Sequence, residues 1–179
     1  HSFTIVGLPD KAVEEARDRI SAAIKNSGFR PPQRSNKKVI VSLAPADIKK
    51  EGPIFDLAIA LAYLKASGEI KFESGKQLFL GELGLDGTLR PIRGSLMIAE
   101  HAGKCGFTEI YLPLDNTREA ALIRDITVYG ITTLKELAHH LSTITDNEGE
   151  VAPVTIKSSP TTIVEPEEPT YLNDLAEIR

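Results

Sequence analysis

The body of the chain alternates between short apolar runs and longer amphipathic stretches, a pattern typical of strands and helices in turn. β-branched residues dominate 3–6 and 39–43, which predicts a strand at each place. Between them, from Asp10 to Ser27, apolar residues recur at helical spacing, and Gly28 is suited to end a helix. The chain is therefore predicted to begin with a strand, an amphipathic helix and a second strand.

The segment after Gly52 is apolar on nearly all sides rather than on one face. Pro53 stands where the first residue of a helix favours proline, and the run from Ile54 to Ala66 stops before Gly68. This pattern predicts a buried central helix, which is too short to span a membrane.

In the second half, residues 78–83 and 88–92 flank Asp86-Gly87, a dipeptide that favours a hairpin turn. A helix is predicted over residues 95–104, with Ser95 as its N-cap. Further strands are predicted at 109–112 and 127–129, and further helices at 116–123 and 134–141. This order of elements predicts an α/β (α+β) fold, in which helices pack on a mixed β-sheet.

The net charge of −4 conceals an uneven distribution along the chain. Residues 143–179 carry eight acidic and two basic side chains, a net charge of −6. This leaves a net charge of +2 for a domain at residues 1–142. Residues 143–170 are acidic, rich in proline, serine and threonine and free of aromatic residues, which predicts a linker. Two β-branched patches within it, 154–156 and 161–164, are able to pair with a sheet edge. Residues 171–179 turn apolar again and are expected to open a further unit.

The composition excludes several classes of protein. A single cysteine, Cys105, excludes a framework of disulfides within the chain. No apolar run is long enough for a membrane span, so we expect a cytoplasmic protein without a membrane partner. Tryptophan is absent and aromatic residues make up only 6%, which disfavours recognition of nucleic acid by base stacking.

Neither a nucleotide site nor a metal site is predicted. Gly81, Gly84 and Gly87 lack the lysine and the following helix that a phosphate-binding loop needs, which favours a hairpin turn. His139 and His140 are adjacent, so on a helix they point about 100° apart and cannot bind one ion together.

Two polar residues at helix starts have both a structural and a functional interpretation. For Ser95, N-capping explains the hydroxyl without any catalysis. For Asp56, a carboxylate in the first turn of the apolar helix favours the helix dipole, and a functional contact is the alternative.

Six basic residues and a single acidic one lie between positions 30 and 50. Such a cluster is able to neutralise several phosphates and to bind nucleic acid without reading its bases. The alternative is a solvated loop with no ligand. The six candidates are Arg30, Arg34, Lys37, Lys38, Lys49 and Lys50.

Four segments, in order, give the chain a resemblance to the ComM/YifB family of bacterial AAA+ proteins, which are described as magnesium-chelatase-like. They are FTIVGLPD at 3–10, LAPADIKKEGPIFDL at 43–57, GELGLDGTLRP at 81–91, and LPLDN at 112–116 followed by REAA at 118–121. The resemblance covers essentially all of residues 3 to 142.

The resemblance implies a domain similar to the proteolytic domain of Lon, but without its catalytic pair. Lon-type proteases use a serine that follows Gly-Pro and a lysine that follows a Pro-Ile-Gly-Gly turn. The matching positions here are Ile54, after Gly52-Pro53, and Leu96, after the turn at 91–95. Neither side chain attacks a carbonyl or moves a proton, so no catalytic residue is expected.

The resemblance also implies a larger protein. An AAA+ motor is expected to follow residues 171–179, to bind ATP and Mg²⁺ itself, and to assemble into a hexamer. A strand pair is expected ahead of residue 3, so that the sheet here lacks an edge. The implied role is a non-catalytic module for ring assembly, for DNA binding, or for both, in branch migration and natural transformation. The alternatives are a Lon-like Ser-Lys peptidase or a magnesium chelatase subunit, which Ile54 and Leu96 disfavour.

Overall fold

The computed structural model describes residues 2–34, 38–143 and 156–162. Its strands are β1 (Ser2–Val6), β2 (Lys38–Ser42), β3 (Gln77–Phe79), β4 (Glu82–Leu83), β5 (Leu89–Arg90), β6 (Glu109–Pro113) and β7 (Thr127–Ile131). Its α-helices are α1 (Lys11–Asn26), α2 (Asp56–Ser67), α3 (Ser95–Lys104), α4 (Thr117–Ala120) and α5 (Leu134–Thr143). The predicted mixture of helices with parallel and antiparallel strands is confirmed.

The first unit is a strand, helix and strand, as the sequence predicts. β1 and β2 pair in parallel, with Phe3 opposite Val39, and α1 connects them. Asp10 caps α1 by accepting the Val13 N–H at 2.8 Å, and it also accepts the Gly52 N–H at 3.0 Å. These N–H groups lower the pKa of Asp10, because they stabilise its charged form.

Helix α2 is the central helix of the core. A 3₁₀ turn at Pro53–Phe55 leads into it, and Gly68 ends it with a φ of 79°. Seven of its twelve residues are buried, although the predicted all-round burial does not extend to its C-terminal turn. Around it, buried side chains of α1 and α5 form the larger of two apolar clusters, and α3, β6 and β7 build the smaller one.

The predicted strand over residues 78–83 is two separate strands. β3 belongs to a parallel sheet of order β3-β6-β7, whereas β4 forms an antiparallel hairpin with β5. The chain divides at Gly81, whose N–H and C=O bond to Ile54 and Leu57 at the start of α2 instead of to a strand. A Cβ at Gly81 would lie 2.9 Å from a terminal methyl of Leu89, so a larger residue there would have to displace that side chain.

The predicted helix over residues 116–123 is also shorter than expected. A 3₁₀ turn at Leu114–Asn116 is followed by the single turn of α4. The remaining predicted elements lie within a few residues of the observed ones.

Part of the predicted linker packs on the domain. Residues 156–162, which we call the strap, run along the outer edge of β7, where Ser158 bridges Tyr129 in antiparallel orientation. Ile156 is buried, so this part of the linker has an apolar anchor. Most of the two β-branched patches, and the expected opening of a further unit at 171–179, lie outside the described residues.

A buried ion pair joins α1 of the first unit to α2 and β4. Asp56, at the start of α2, is 1% exposed and accepts two hydrogen bonds from the Arg19 guanidinium of α1, at 2.7 and 3.1 Å. The same carboxylate accepts the Leu83 N–H of β4 at 3.2 Å. Burial raises the pKa of Asp56, and the Arg19 guanidinium opposes that rise. Asp56 therefore lies in the first turn of α2, as predicted, and its carboxylate is paired with the Arg19 guanidinium.

Replacing Asp56 with asparagine should lower the free energy of unfolding by about 3 kcal/mol, because the mostly buried side chain of Arg19 is then left without a counter-charge. The matched control is Asp18→Asn, which removes an exposed carboxylate beside Arg17 and should change stability by less than about 0.5 kcal/mol. Urea denaturation measures both. Equal stability of the two variants would contradict a structural role for the pair.

Candidate functional site

The two positions that match the Lon catalytic pair hold apolar side chains. Ile54 lies in the 3₁₀ turn before α2 and packs against the smaller apolar cluster. Leu96 is the second residue of α3 and is partly buried. Neither side chain offers an atom that binds a proton, so these positions can shape a surface but cannot perform acid, base or nucleophilic chemistry.

Ser95 is not the N-cap of α3, contrary to the prediction from its position in the sequence. Gly94 holds the capping position with a φ of 77°, and Ser95 is the first helical residue. Its side chain is fully buried, and its hydroxyl donates to the Glu119 carboxylate of α4. The hydroxyl therefore joins α3 to α4 and is closed off from solvent.

Asn116 organises the turn that leads into α3, and no sequence pattern pointed to this role. Its side-chain amide donates to the Ile92 carbonyl at 2.8 Å and accepts the Ile92 N–H at 2.9 Å. The amide thus satisfies both backbone groups of one residue, as a neighbouring strand would. This fixes the turn at 91–94 even though no catalytic lysine follows it.

Three of the six predicted basic residues line one groove. Arg30, Arg34 and Lys38 surround a depression of about 750 Å³ between β2 and the C-terminal half of α2. Ala62 and Ala66 form part of its α2 wall, and small side chains leave this wall open. The phenolic hydroxyl of Tyr63 donates to the Arg30 carbonyl at 3.0 Å and so fixes the backbone beside the groove.

The floor of the groove is the outer edge of β2. Leu43 donates its N–H to the Val6 carbonyl at 2.9 Å, so its backbone faces β1. Because alternate residues of a strand direct their N–H and C=O groups to opposite edges, those of Ile40 and Ser42 face the groove. Glu69 supplies one negative charge at its margin. The groove thus offers three cations and a strand edge to a ligand with anionic groups.

The other predicted basic residues do not join this groove. Lys50 is 6% exposed, and its ammonium donates to the carbonyls of Pro45 and Ile48. Lys49 is exposed and bonds to Glu51 at 2.9 Å. The prediction that Lys50 belongs to the basic cluster is therefore corrected, because a buried ammonium cannot neutralise a phosphate. Lys37, the sixth candidate, lies outside the described residues.

The remaining sequence candidates have structural surroundings. Within the described ranges, no three histidine, cysteine or carboxylate side chains converge as metal ligands would. His139 packs near Phe29, whereas His140 is buried against Tyr111 and Tyr129. None of the helices in those ranges is long and apolar enough to cross a bilayer.

The glycines at 81, 84 and 87 do not form a phosphate-binding loop. Gly84 donates its N–H to the Thr88 carbonyl and accepts from Gly87, within the turn between β4 and β5. The backbone groups of Gly84 and the N–H of Gly87 are therefore occupied by the turn itself.

Comparison with known proteins finds relatives of this chain. The sequence profile described as subunit ChlI of Mg-chelatase matches residues 1–116. The competence protein ComM of Haemophilus influenzae is 40% identical over 141 residues, 78% of this chain and 27% of its own length. YifB of Escherichia coli is 45% identical over 122 residues, 68% of this chain and 23% of its own length. The DNA repair protein RadA of Streptococcus pneumoniae is 36% identical over 90 residues, 50% of this chain and 21% of its own length. The chain thus spans about a quarter of the length of these relatives.

Replacing Lys50 with methionine should lower the free energy of unfolding by about 2 kcal/mol, because two carbonyls lose a charged donor inside the protein. Lys49→Met should change it by less than about 0.5 kcal/mol, since it removes only an exposed ion pair. Chemical denaturation of both variants measures the difference. If the two variants were equally stable, the enclosed position of Lys50 would have no energetic role.

Proposed function

The chain belongs to the ChlI family of Mg-chelatase-like proteins, together with ComM and YifB, and from this premise we propose that it is a non-catalytic module of a Mg-chelatase-like AAA+ ATPase. Its contribution is contact with the backbone of nucleic acid during DNA processing. ATP and Mg²⁺ are bound by the AAA+ part of the protein, which forms the hexameric ring. Branch migration and natural transformation are the processes we assign to the whole protein.

The observation that carries this proposal is the groove lined by Arg30, Arg34 and Lys38. Two guanidinium groups and an ammonium beside one depression attract phosphates, and contacts of this kind carry no base specificity. The outward N–H groups of Ile40 and Ser42 add neutral donors along the same path. The names of two relatives, competence protein ComM and DNA repair protein RadA, are consistent with a DNA-linked role.

The absence of catalysis is proposed from the chemistry of the residues at the matching positions. Ile54 and Leu96 offer no nucleophile and no base, and the nearby hydroxyl of Ser95 is fully buried. A Lon-like Ser-Lys peptidase is disfavoured for this reason. The domain is then a binding module that keeps the framework of an enzyme.

Ring assembly is a second candidate function, and the pairing of β1 and β2 favours it. In the part of the chain that the structure describes, these two strands pair only with each other. The outer edge of β2 lies in the groove, so the outer edge of β1 is the one that a neighbouring subunit is able to extend. Ring assembly and nucleic-acid contact are compatible functions. A variant with reversed charges in the groove tests the second function without altering the strand edge that the first one uses.

Reversing the groove charges in the double variant Arg34→Glu/Lys38→Glu should weaken binding of DNA at least tenfold at low salt, because attraction to phosphates becomes repulsion. The slope of log affinity against log salt should fall by about one for each phosphate that the variant no longer neutralises. Fluorescence anisotropy with labelled single-stranded and branched DNA measures both quantities.

The control for this experiment is the double variant Lys49→Glu/Lys104→Glu, which makes the same change in net charge at two exposed lysines that do not line the groove. It should retain most of the affinity. Equal losses in the two double variants would indicate general attraction by net charge, and unchanged binding in both would leave assembly as the function. Light scattering on the same samples reports whether the oligomeric state has changed.

A fluorophosphonate probe for activated serines should leave the chain unlabelled under native conditions. Ser95 is buried, and no base stands at the position of Leu96. Mass spectrometry of the treated protein detects a phosphonylated serine with high sensitivity. Labelling that disappears on heat denaturation would contradict the non-catalytic assignment, whereas labelling that heat does not affect would show nonspecific reaction.

A further inference from the structure

The outer edge of β7 lacks the features by which edge strands usually avoid association. β7 is the last strand of the β3-β6-β7 sheet, so only one of its edges is paired with β6. Its sequence, Thr127–Ile131, contains no charged residue and no proline. Exposed edges of this composition pair readily with other strands, because neither repulsion nor a missing N–H prevents it.

Past Ile131 the β4–β5 hairpin covers the outer side of the chain, where Thr132 accepts the Leu89 N–H at 2.9 Å, and the strap covers the edge before that point. Ser159 donates its N–H to the Val128 carbonyl at 2.7 Å, next to the bridge between Ser158 and Tyr129. The strap therefore occupies hydrogen-bonding groups that a further strand would use.

Two further anchors hold the ends of the strap. At one end, the Ile156 N–H bonds to Nδ1 of His140 at 3.2 Å, while the Ile156 side chain enters the larger apolar cluster. At the other end, Thr162 donates its N–H to the Ala121 carbonyl at 2.8 Å and its hydroxyl to the Arg118 carbonyl. The strap is thus attached at three separate places, on α5, β7 and the end of α4.

The strap is nevertheless weakly held for a covering strand. Ile156 is its single buried residue, and Lys157, Ser158, Pro160 and Thr161 are exposed. A segment with one apolar anchor and few hydrogen bonds opens at a small cost in free energy, far below that of global unfolding. The cover is therefore removable without loss of the fold.

The antiparallel orientation of the strap indicates what the uncovered edge would accept. Since Ser158 pairs with Tyr129 in antiparallel orientation, the edge accommodates a strand running opposite to β7. A two-fold axis places two copies of β7 in this relation, and identical edges are then complementary to each other. We propose that the strap is an intramolecular guard of the β7 edge: docked, it prevents pairing with a second copy of this chain, and released, it permits that pairing.

The proposal is tested by removing one strap hydrogen bond. Ser159→Pro deletes the N–H that donates to Val128, and hydrogen exchange of the strap amides should accelerate about fivefold or more. The fraction of dimer, measured by light scattering over a range of concentrations, should rise relative to the parent chain. The control Thr161→Pro introduces the same ring at an exposed strap residue whose N–H makes no hydrogen bond within the described ranges, and it should leave both quantities unchanged.

A second substitution identifies the edge itself. Thr127→Lys adds a charge to the exposed first residue of β7, and in two paired copies such charges repel. Combined with Ser159→Pro, it should return the dimer fraction to that of the parent while exchange of the strap stays fast. Persistence of the dimer in the double variant would overturn the assignment of the edge.

Two other outcomes would also overturn the proposal. One is strap amides that already exchange in the parent chain as freely as those of an unstructured peptide. The other is a Ser159→Pro variant with a released strap and an unchanged association state. Circular dichroism and denaturation of each variant distinguish release of the strap from general unfolding, and Ile156→Ser provides a second way to release it if the proline variant does not fold.

Discussion

The ion pair between Arg19 and Asp56 fixes the relation of the first unit to the rest of the domain. Through a single carboxylate it connects α1, the start of α2 and the hairpin strand β4. Since α2 supplies buried side chains to the larger apolar cluster, the direction in which this helix enters the protein affects how α1 and α5 pack there. A charge at this depth is tolerated because the guanidinium and the Leu83 N–H replace the water that the carboxylate loses.

The same arrangement shows which residues hold the backbone around positions 54 and 96. The start of α2 is held by Asp56 and by the two backbone bonds of Gly81, and none of these contacts involves the side chain of Ile54. The turn before α3 is likewise held by Asn116 and not by Leu96. The backbone at both places is therefore held by residues other than Ile54 and Leu96.

Sequence patterns predicted the elements that depend on local information. The period of α1, the all-apolar character of α2 and the hairpin at Asp86-Gly87 are properties of neighbouring residues, and they were predicted nearly in full. The division at Gly81 was missed because its backbone bonds to a helix start more than twenty residues away. Three of the six predicted basic residues line one groove, and the sequence could not separate them from the others: Lys49 and Lys50 are neighbours of the same type, and only the fold decides which one is enclosed. The partner of Asp56 also depends on contacts that no local pattern encodes.

The two hydrogen bonds between Asn116 and Ile92 impose a strict chemical demand on one side chain. Aspartate has nearly the same shape but carries no donor, and leucine would satisfy neither the N–H nor the C=O of Ile92. Position 116 therefore requires a carboxamide, which carries both a donor and an acceptor, whereas the apolar side chains of Ile54 and Leu96 bond to no backbone group. In this domain, a side chain that bonds to backbone groups limits which amino acids its position accepts. Asn116 is such a residue, although it has no catalytic role.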